Sequence, residues 1–372
     1  MDRKDCVSDV ETVVIKIGTS SITGGTSGVS EEFMDSVARQ VKEVKDMGKD
    51  VLIVSSGAIG VGLLALNAKP KPREVPIRQA AASVGQGILM QKWSESFQKY
   101  GIITAQILLT LDFYSDREKY LNLRNAIHTL LKHGAVPIIN ENDVVCVKEI
   151  DAMFGDNDTL SAHVCSKMDA DLLIILSDVD GLYDKNPKIY SDANLISIVD
   201  GVDDNIRSMA GDPTTRVGVG GMKTKLNAAE ICRDAGCGMI IANSHAPDVI
   251  IRAVSGEDVG TYFRTSNRER KKLIWIKAAK SEGSIYVDSG AVNALNKHMS
   301  LLSVGIRDVK GRFDRGDVVD IVCEGKVVAK GITDYNSEDT FKIRGLHSDR
   351  IADVLGHKSY DDVIRSENIV LM

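Results

Sequence analysis

Residues 154–162, FGDNDTLSA, set Asp156, Asn157 and Asp158 between a glycine and a helix-like run. Such a knot could be a metal loop, a helix cap or a catalytic corner. The metal loop fails on spacing, because the D-x-[DN]-x-[DN]-G pattern of a calcium loop is absent. A cap accounts for Asp158 ahead of TLSAHVCSK, worth ~1 kcal/mol, but for that one aspartate only. The nearby IINEND (138–143) adds Asn140 and Asp143. Carboxylates mixed with amides suit a zwitterionic amino acid. The acidic groups meet its ammonium and the amides its carboxylate.

Other clusters suit phosphate. In IKIGTSSITGG (15–25), Lys16 interrupts an apolar strand just before Gly18. Alternating with Ile15 and Ile17, it could face solvent. A central parallel strand has no wet face, however, and there a buried ammonium needs an anion. The glycine-rich loop that follows offers backbone N–H groups to phosphate. VSSGAIGVG (54–62) holds Ser56 and Gly57 where a strand turns into a helix. Small residues let a ligand approach the backbone, and a helix start favours an anion; a plain tight turn is the alternative. VGVGGMKTK (217–225) runs glycine amides, Lys223 and Lys225 into a helix. That suits a polyphosphate, against the alternative of a solvated loop. Neither GxxxxGK[ST] nor GxGxxG occurs, so P-loop and dinucleotide fingerprints are excluded.

The elements that must position these clusters alternate along the first ~260 residues. TVVIKIG, KDVLIVSSG, ITAQILLT, AVPIIN, DLLIILSD and GMIIAN read as strands. Their near-continuous apolar runs suit strands covered on both faces. EEFMDSVARQVKEVKDMG, REKYLNLRNAIHTLLKHG and KTKLNAAEICRDAG read as helices. This alternation predicts a three-layer αβα sandwich around a mostly parallel sheet. Ligands of such sheets sit beyond the carboxyl ends of the strands, where the polar clusters fall, SDVDGLY with Ser177 and Asp178 among them.

The 372 residues predict two or three domains. Residues 1–264 form the αβα unit, 265–274 a charged linker containing RERKK, and 275–372 a small β-rich unit with GSIYVD, SLLSVGI, GDVVDIVCEG and KVVAKGIT. Net charge is −6, of which the segment from Arg264 onward contributes +3. That is far from the basic stripe of a nucleic-acid binder. No apolar run is long enough for a membrane helix, and MDRKDCVSDVE has no signal-peptide core. The six cysteines form no CxxC and the histidines no HExxH. The expectation is a cytoplasmic protein with reduced, mostly buried thiols and no zinc.

Seven stretches in order, IKIGTSSIT, VSSGAIGVG, AAASVGQG, INENDVV, FGDNDTLSA, LSDVDGLY and GGMKTK, resemble the amino acid kinase family. Within it they are most similar to the members that phosphorylate glutamate, and the tail is similar to a PUA domain. The resemblance covers essentially the whole chain. It implies transfer of a phosphoryl group from ATP to the γ-carboxylate of L-glutamate, giving L-glutamyl 5-phosphate, the first step of proline synthesis. By position, Lys16 and Lys225 would grip the transferring group and Asp158 would hold both lysines. Ser56, Gly57, Asn140, Asp143, Asp156 and Asn157 would bind glutamate. Lys16, Gly18, Ser177, Asp178 and Val219, Gly220, Gly221, Met222, Lys223, Thr224 and Lys225 would hold ATP, with Mg²⁺ bridging its phosphates. Val219 departs from the family pattern, where a hydroxyl residue is common; its backbone N–H remains. The resemblance also implies a dimer or tetramer, feedback inhibition by proline, and a following enzyme that consumes the acyl phosphate. Acetylglutamate kinase, aspartokinase, and RNA binding through the tail are the alternatives.

Overall fold

Strands apolar on both faces are stable between two covering layers, and the N-terminal apolar runs other than ITAQILLT lie so. In the computed structural model the described residues are 2–23, 28–68, 74–110, 116–145, 157–187, 189–209, 221–265, 276–277, 279–356 and 360–372. Two units divide the chain, Met1–Ser266 and Asn267–Met372. In the first, α1 (Arg3–Val7), β1 (Thr12–Ile17), α2 (Thr19–Thr23), α3 (Glu31–Asp46), β2 (Asp50–Ser55), α4 (Ala58–Ala65) and α5 (Val75–Gln98) come first. There follow β3 (Thr104–Leu109), α6 (Arg117–Lys132), β4 (Val136–Glu141), α7 (Asn157–Met168), β5 (Leu172–Ser177), β6 (Ile198–Val199) and α8 (Asp204–Met209). Last come α9 (Met222–Ala235), β7 (Gly238–Asn243), α10 (Val249–Val254) and β8 (Thr261–Phe263).

The sheet order is β3-β4-β2-β1-β5-β7-β8-β6, with β7 and β8 antiparallel and the other pairs parallel. β1 is central. The chain winds from it toward β2, then returns to place β5 on its other side, so the strand order switches there. Ligand crevices in open α/β sheets form at such a switch.

Strand parity sorts the two cores. Val13, Ile15 and Ile17 pack with Val37 and Val41 of α3 and Leu89 and Trp93 of α5. Val14 faces the opposite layer, with Ala162 and Cys165 of α7 and Leu226 and Cys232 of α9. Lys16 shares the parity of Val14. The period of 2 thus aims its ammonium at the α7–α9 layer.

α3 follows its sequence signals. Ser30 caps it by accepting from the Phe33 amide, and Met34, Val37, Val41 and Val44 make its buried stripe. Gly48, at φ 81°, turns the chain away. ITAQILLT differs from the expectation of a strand covered on both faces. It is the edge strand β3, with Leu108 half-exposed and Ile103 beside it largely exposed. Thr104 and Gln106 tolerate water there. The 24-residue α5 escaped the periodicity reading because Ala81, Ala82, Gly85, Gln86 and Ser96 make much of its buried stripe. These small residues let α4 and α5 touch through their backbones. A Cβ on Gly85 would lie 1.8 Å from the Ala58 carbonyl oxygen, and one on Gly62 would lie 1.7 Å from that of Ala81. Gly85→Ala is therefore expected to destabilise the protein by about 3 kcal/mol, the upper part of the overpacking range, read as a lower thermal midpoint. An unchanged midpoint would mean that the helices do not meet this closely.

In the second unit, β9 (Gly283–Val287), β11 (Ile306–Gly311), β12 (Val318–Cys323), β13 (Lys326–Ile332) and β15 (Ile369–Leu371) form a sheet in the order β11-β9-β12-β13-β15. β10 (Leu301–Leu302) pairs with β14 (Asp362–Ile364). SLLSVGI is thus two strands, split by a 3₁₀ turn at Ser303–Gly305. Ile285, Phe313, Ile321 and Ile364 are core residues of this unit. RERKK lies outside the described residues. Among the described residues no helix is long and apolar enough to cross a membrane.

Candidate active site

Asp158 is fully buried in the first turn of α7, and two cations from distant parts of the chain converge on it. Lys16 Nζ lies 2.6 Å from Oδ1, and Lys225 Nζ lies 3.0 Å from Oδ2. Thr224 Oγ1 donates to the same Oδ2 at 3.0 Å. Strand β1 thus brings one ammonium, helix α9 the other, and α7 the carboxylate between them. Burial alone would raise the Asp158 carboxyl, but the charges of Lys16 and Lys225 outweigh it and hold it below the ordinary carboxylate value. A depressed native pKa means stability present above the unfolded value of ~3.9. That contribution is lost as pH falls through the lower native value.

A second network adjoins it. Asn157 Nδ2 donates to Ser56 Oγ at 2.8 Å, to Asn140 Oδ1 at 3.1 Å and to the Ser55 carbonyl at 3.3 Å. Asn140 Nδ2 donates to Gln86 Oε1 at 2.9 Å, and Asn140 and Gln86 are both buried. Trp93 Nε1 donates to Ser55 Oγ at 3.0 Å and fixes the end of β2 from α5. Gly57, at φ 101°, caps α4 in a conformation that disfavours a Cβ.

The expected residues sort by place. Asp158, Lys16, Lys225, Asn157, Asn140 and Ser56 come together. Asp143 lies in the half-exposed turn after β4. Gly18 follows β1, where a Cβ would stand 3.7 Å from Lys16 Nζ. Ser177 ends β5 and donates to Asp178 at 3.2 Å. Gly221 is the N-cap residue of α9, whose first turn carries Met222, the exposed Lys223 and Thr224. Met222 packs against the α7–α9 core. Asp156, Val219 and Gly220 lie outside the described residues. The sequence predicts Asp158 ahead of its helix; it lies inside the first turn, with its carboxylate held by the two lysines. Two contributions went unforeseen: Gln86 as the support of Asn140, and Thr224 as a donor to Asp158. Gln86 lies within AAASVGQG, but nothing local in the sequence ties it to Asn140.

Residues 11–243 match the amino acid kinase family and residues 283–355 the PUA domain. The chain belongs to the amino acid kinase family. It is 56 % identical to the glutamate 5-kinase of Methanosarcina barkeri (strain Fusaro / DSM 804) over 379 residues, covering 100 % of this chain and 99 % of that one. It is 44 % identical to the glutamate 5-kinase of Caldanaerobacter subterraneus subsp. tengcongensis over 364 residues, covering 97 % of each.

Proposed function

We propose that the chain transfers the γ-phosphoryl group of ATP to the γ-carboxylate of L-glutamate. The observation that carries this reading is the buried Lys16–Asp158–Lys225 cluster at the strand-order switch. Full-length similarity to glutamate 5-kinases supports the choice of substrate. The nucleophile is a carboxylate already ionised at neutral pH, so no general base is needed. A glutamate oxygen bonds to the γ-phosphorus, the bond to the β–γ bridging oxygen breaks, and ADP leaves. No proton moves. The barrier lies in bringing anions together and stabilising charge on the transferred group, tasks for fixed cations and amides.

Lys16 and Lys225 are held by Asp158 so that both ammonium groups meet the transferring phosphoryl. Gly18, Ser177, Asp178, Lys223 and the amides of Gly221 and Met222 serve the nucleotide side in this reading, and Val219 and Gly220, outside the described residues, keep only the role the family resemblance implies. Ser56, Gly57, Asn140, Asp143 and Asn157 serve the glutamate side in this reading, and Asp156, outside the described residues, keeps only the role the family resemblance implies. Asp158 is already engaged by two lysines and a hydroxyl. Among the described residues no cluster of three or more carboxylates offers a metal site. In this reading Mg²⁺ would be carried by the phosphates of ATP, as magnesium often is, and would supply charge neutralisation there.

Hydroxylamine trapping of acyl phosphate across glutamate, aspartate and N-acetylglutamate tests the assignment. Glutamate is expected to give the product. Product from either rival and none from glutamate overturns the reading. Gln86→Leu leaves the Asn140 amide buried without its acceptor, a cost of ~1–3 kcal/mol. It is expected to raise the KM for glutamate about tenfold with little change in kcat. A kcat loss with unchanged KM would place Gln86 elsewhere in the mechanism. Inhibition by proline, a cyclic relative of glutamate, belongs to the same reading. Full activity in millimolar proline refutes that. Assembly into a dimer or tetramer belongs to the same reading, and a monomeric mass by light scattering refutes it.

A further inference from the structure

The phosphoryl-transfer reading leaves one buried cluster of nucleophiles unused. Cys165, Cys232 and Cys237 are buried thiols outside any disulfide, with their sulfurs within 4.8 Å of one another. Local structure explains part of this. The Cys237 amide donates to the Cys232 carbonyl and the Gly236 amide to the Arg233 carbonyl, with Gly236 left-handed at φ 80°. This Schellman cap brings together the side chains that flank it. Apolar residues usually occupy those two places; here both are thiols. Cys165 of α7 supplies the third.

Burial pushes the Cys165 and Cys232 thiols well up, and the neighbours acting on them are one another and Cys237. Among the described residues no cation is arrayed against these two sulfurs. A divalent ion on three thiolates would leave net negative charge in an apolar core, which is costly. A soft trivalent centre would leave none, and thiolates select soft centres.

We propose that Cys165, Cys232 and Cys237 form a binding site for a trivalent metalloid of the arsenite class. Three As–O bonds break and three As–S bonds form. Each thiol proton leaves with a hydroxide as water, so no oxidant is needed and the product is neutral. Entry requires local opening, since all three sulfurs are buried. The site is linked to the catalytic cluster by register. Cys165 follows Asp158 by seven residues on α7, and Cys232 follows Lys225 by seven on α9. Two helical turns place each cysteine on the face of its catalytic partner. Drawing the sulfurs onto one atom shifts the pair of helices that sets the Asp158–Lys225 contact.

The test uses the full chain incubated with arsenite, desalted and assayed for arsenic without substrates. One arsenic per chain is expected, released by an added dithiol. Cys165→Ala and Cys237→Ala, each checked for folding by circular dichroism, are expected to retain none. Cys6→Ala and Cys323→Ala are expected to retain it in full. Absent retention in the parent chain, or equal retention in all four variants, overturns the site, as does equal retention of Zn²⁺. ATP turnover with glutamate, which rests on the proposed reaction, is expected to fall in proportion to the arsenic held. Undiminished turnover in the loaded protein overturns the link. Because retention is read without substrate, its failure is distinct from a failure of the proposed reaction.

Discussion

Asp158→Asn is expected to lower turnover by about 10²-fold or more while the protein stays folded. Asparagine has the same shape and serves a helix start equally well. It lacks the charge that holds Lys16 Nζ at 2.6 Å and Lys225 Nζ at 3.0 Å. Two buried ammonium groups would then face a neutral amide. Breaking a buried pair in this way costs about 3–5 kcal/mol, so the thermal midpoint should fall as well. Arriving phosphates restore part of the lost compensation, which predicts a nucleotide KM that is unchanged or lower. The loss then sits in kcat, because the lysines are present but no longer aimed. If Asp158 served only the helix start, the variant would retain parental kcat, and that result would remove it from the mechanism.

Lys16→Ala and Lys225→Ala are each expected to reduce turnover by ~10²-fold or more, the effect of losing one fixed donor at developing charge. The two are not equivalent in stability. Lys225→Ala leaves Asp158 with Lys16 and the Thr224 hydroxyl. Lys16→Ala removes the shorter contact, the one that ties the central strand to α7. The larger fall in thermal midpoint is therefore expected for Lys16→Ala. Combined with Asp158→Asn, either lysine change should cost less than the sum of the single effects, because all three groups act as a unit. Parental turnover in either single variant would sink the proposed mechanism.

What the sequence made legible follows from range. The strands were readable because apolar runs and glycine stops are local signals. Lys16 was conspicuous because a charge inside TVVIKI contradicts its surroundings. Its two alternatives, solvent or a buried anion, were separated only by the topology that makes β1 central. α5 was illegible as a helix because it is tuned for close backbone approach, and alanine and glycine leave no hydrophobic period. The Asn157–Asn140–Gln86 chain was illegible because its members are 17 and 54 residues apart in sequence. The cysteines looked scattered, and only the packing of α7 on α9 and the cap after Ala235 collect three of them. Grouping Asp158 with Lys16 and Lys225 came from the family resemblance. The residues alone had left cap and catalytic corner both open.

The placement of Lys16 on β1 has a consequence for folding fidelity and for evolutionary drift. Pairing of β1 one residue out of register would turn Lys16 toward α3 and α5, where Ile15 and Ile17 now pack. The ammonium would enter an apolar layer away from Asp158, and a slipped sheet would be penalised by a stranded charge. The cation needed for chemistry thereby proofreads the assembly of the sheet that carries it. The same parity confines substitution over time. Moving the lysine by one position reverses its face, and moving it by two reaches Val14, inside the core, or Gly18, where the chain has already left the strand. Among the positions of this strand, 16 alone combines the right face with the open end of the sheet.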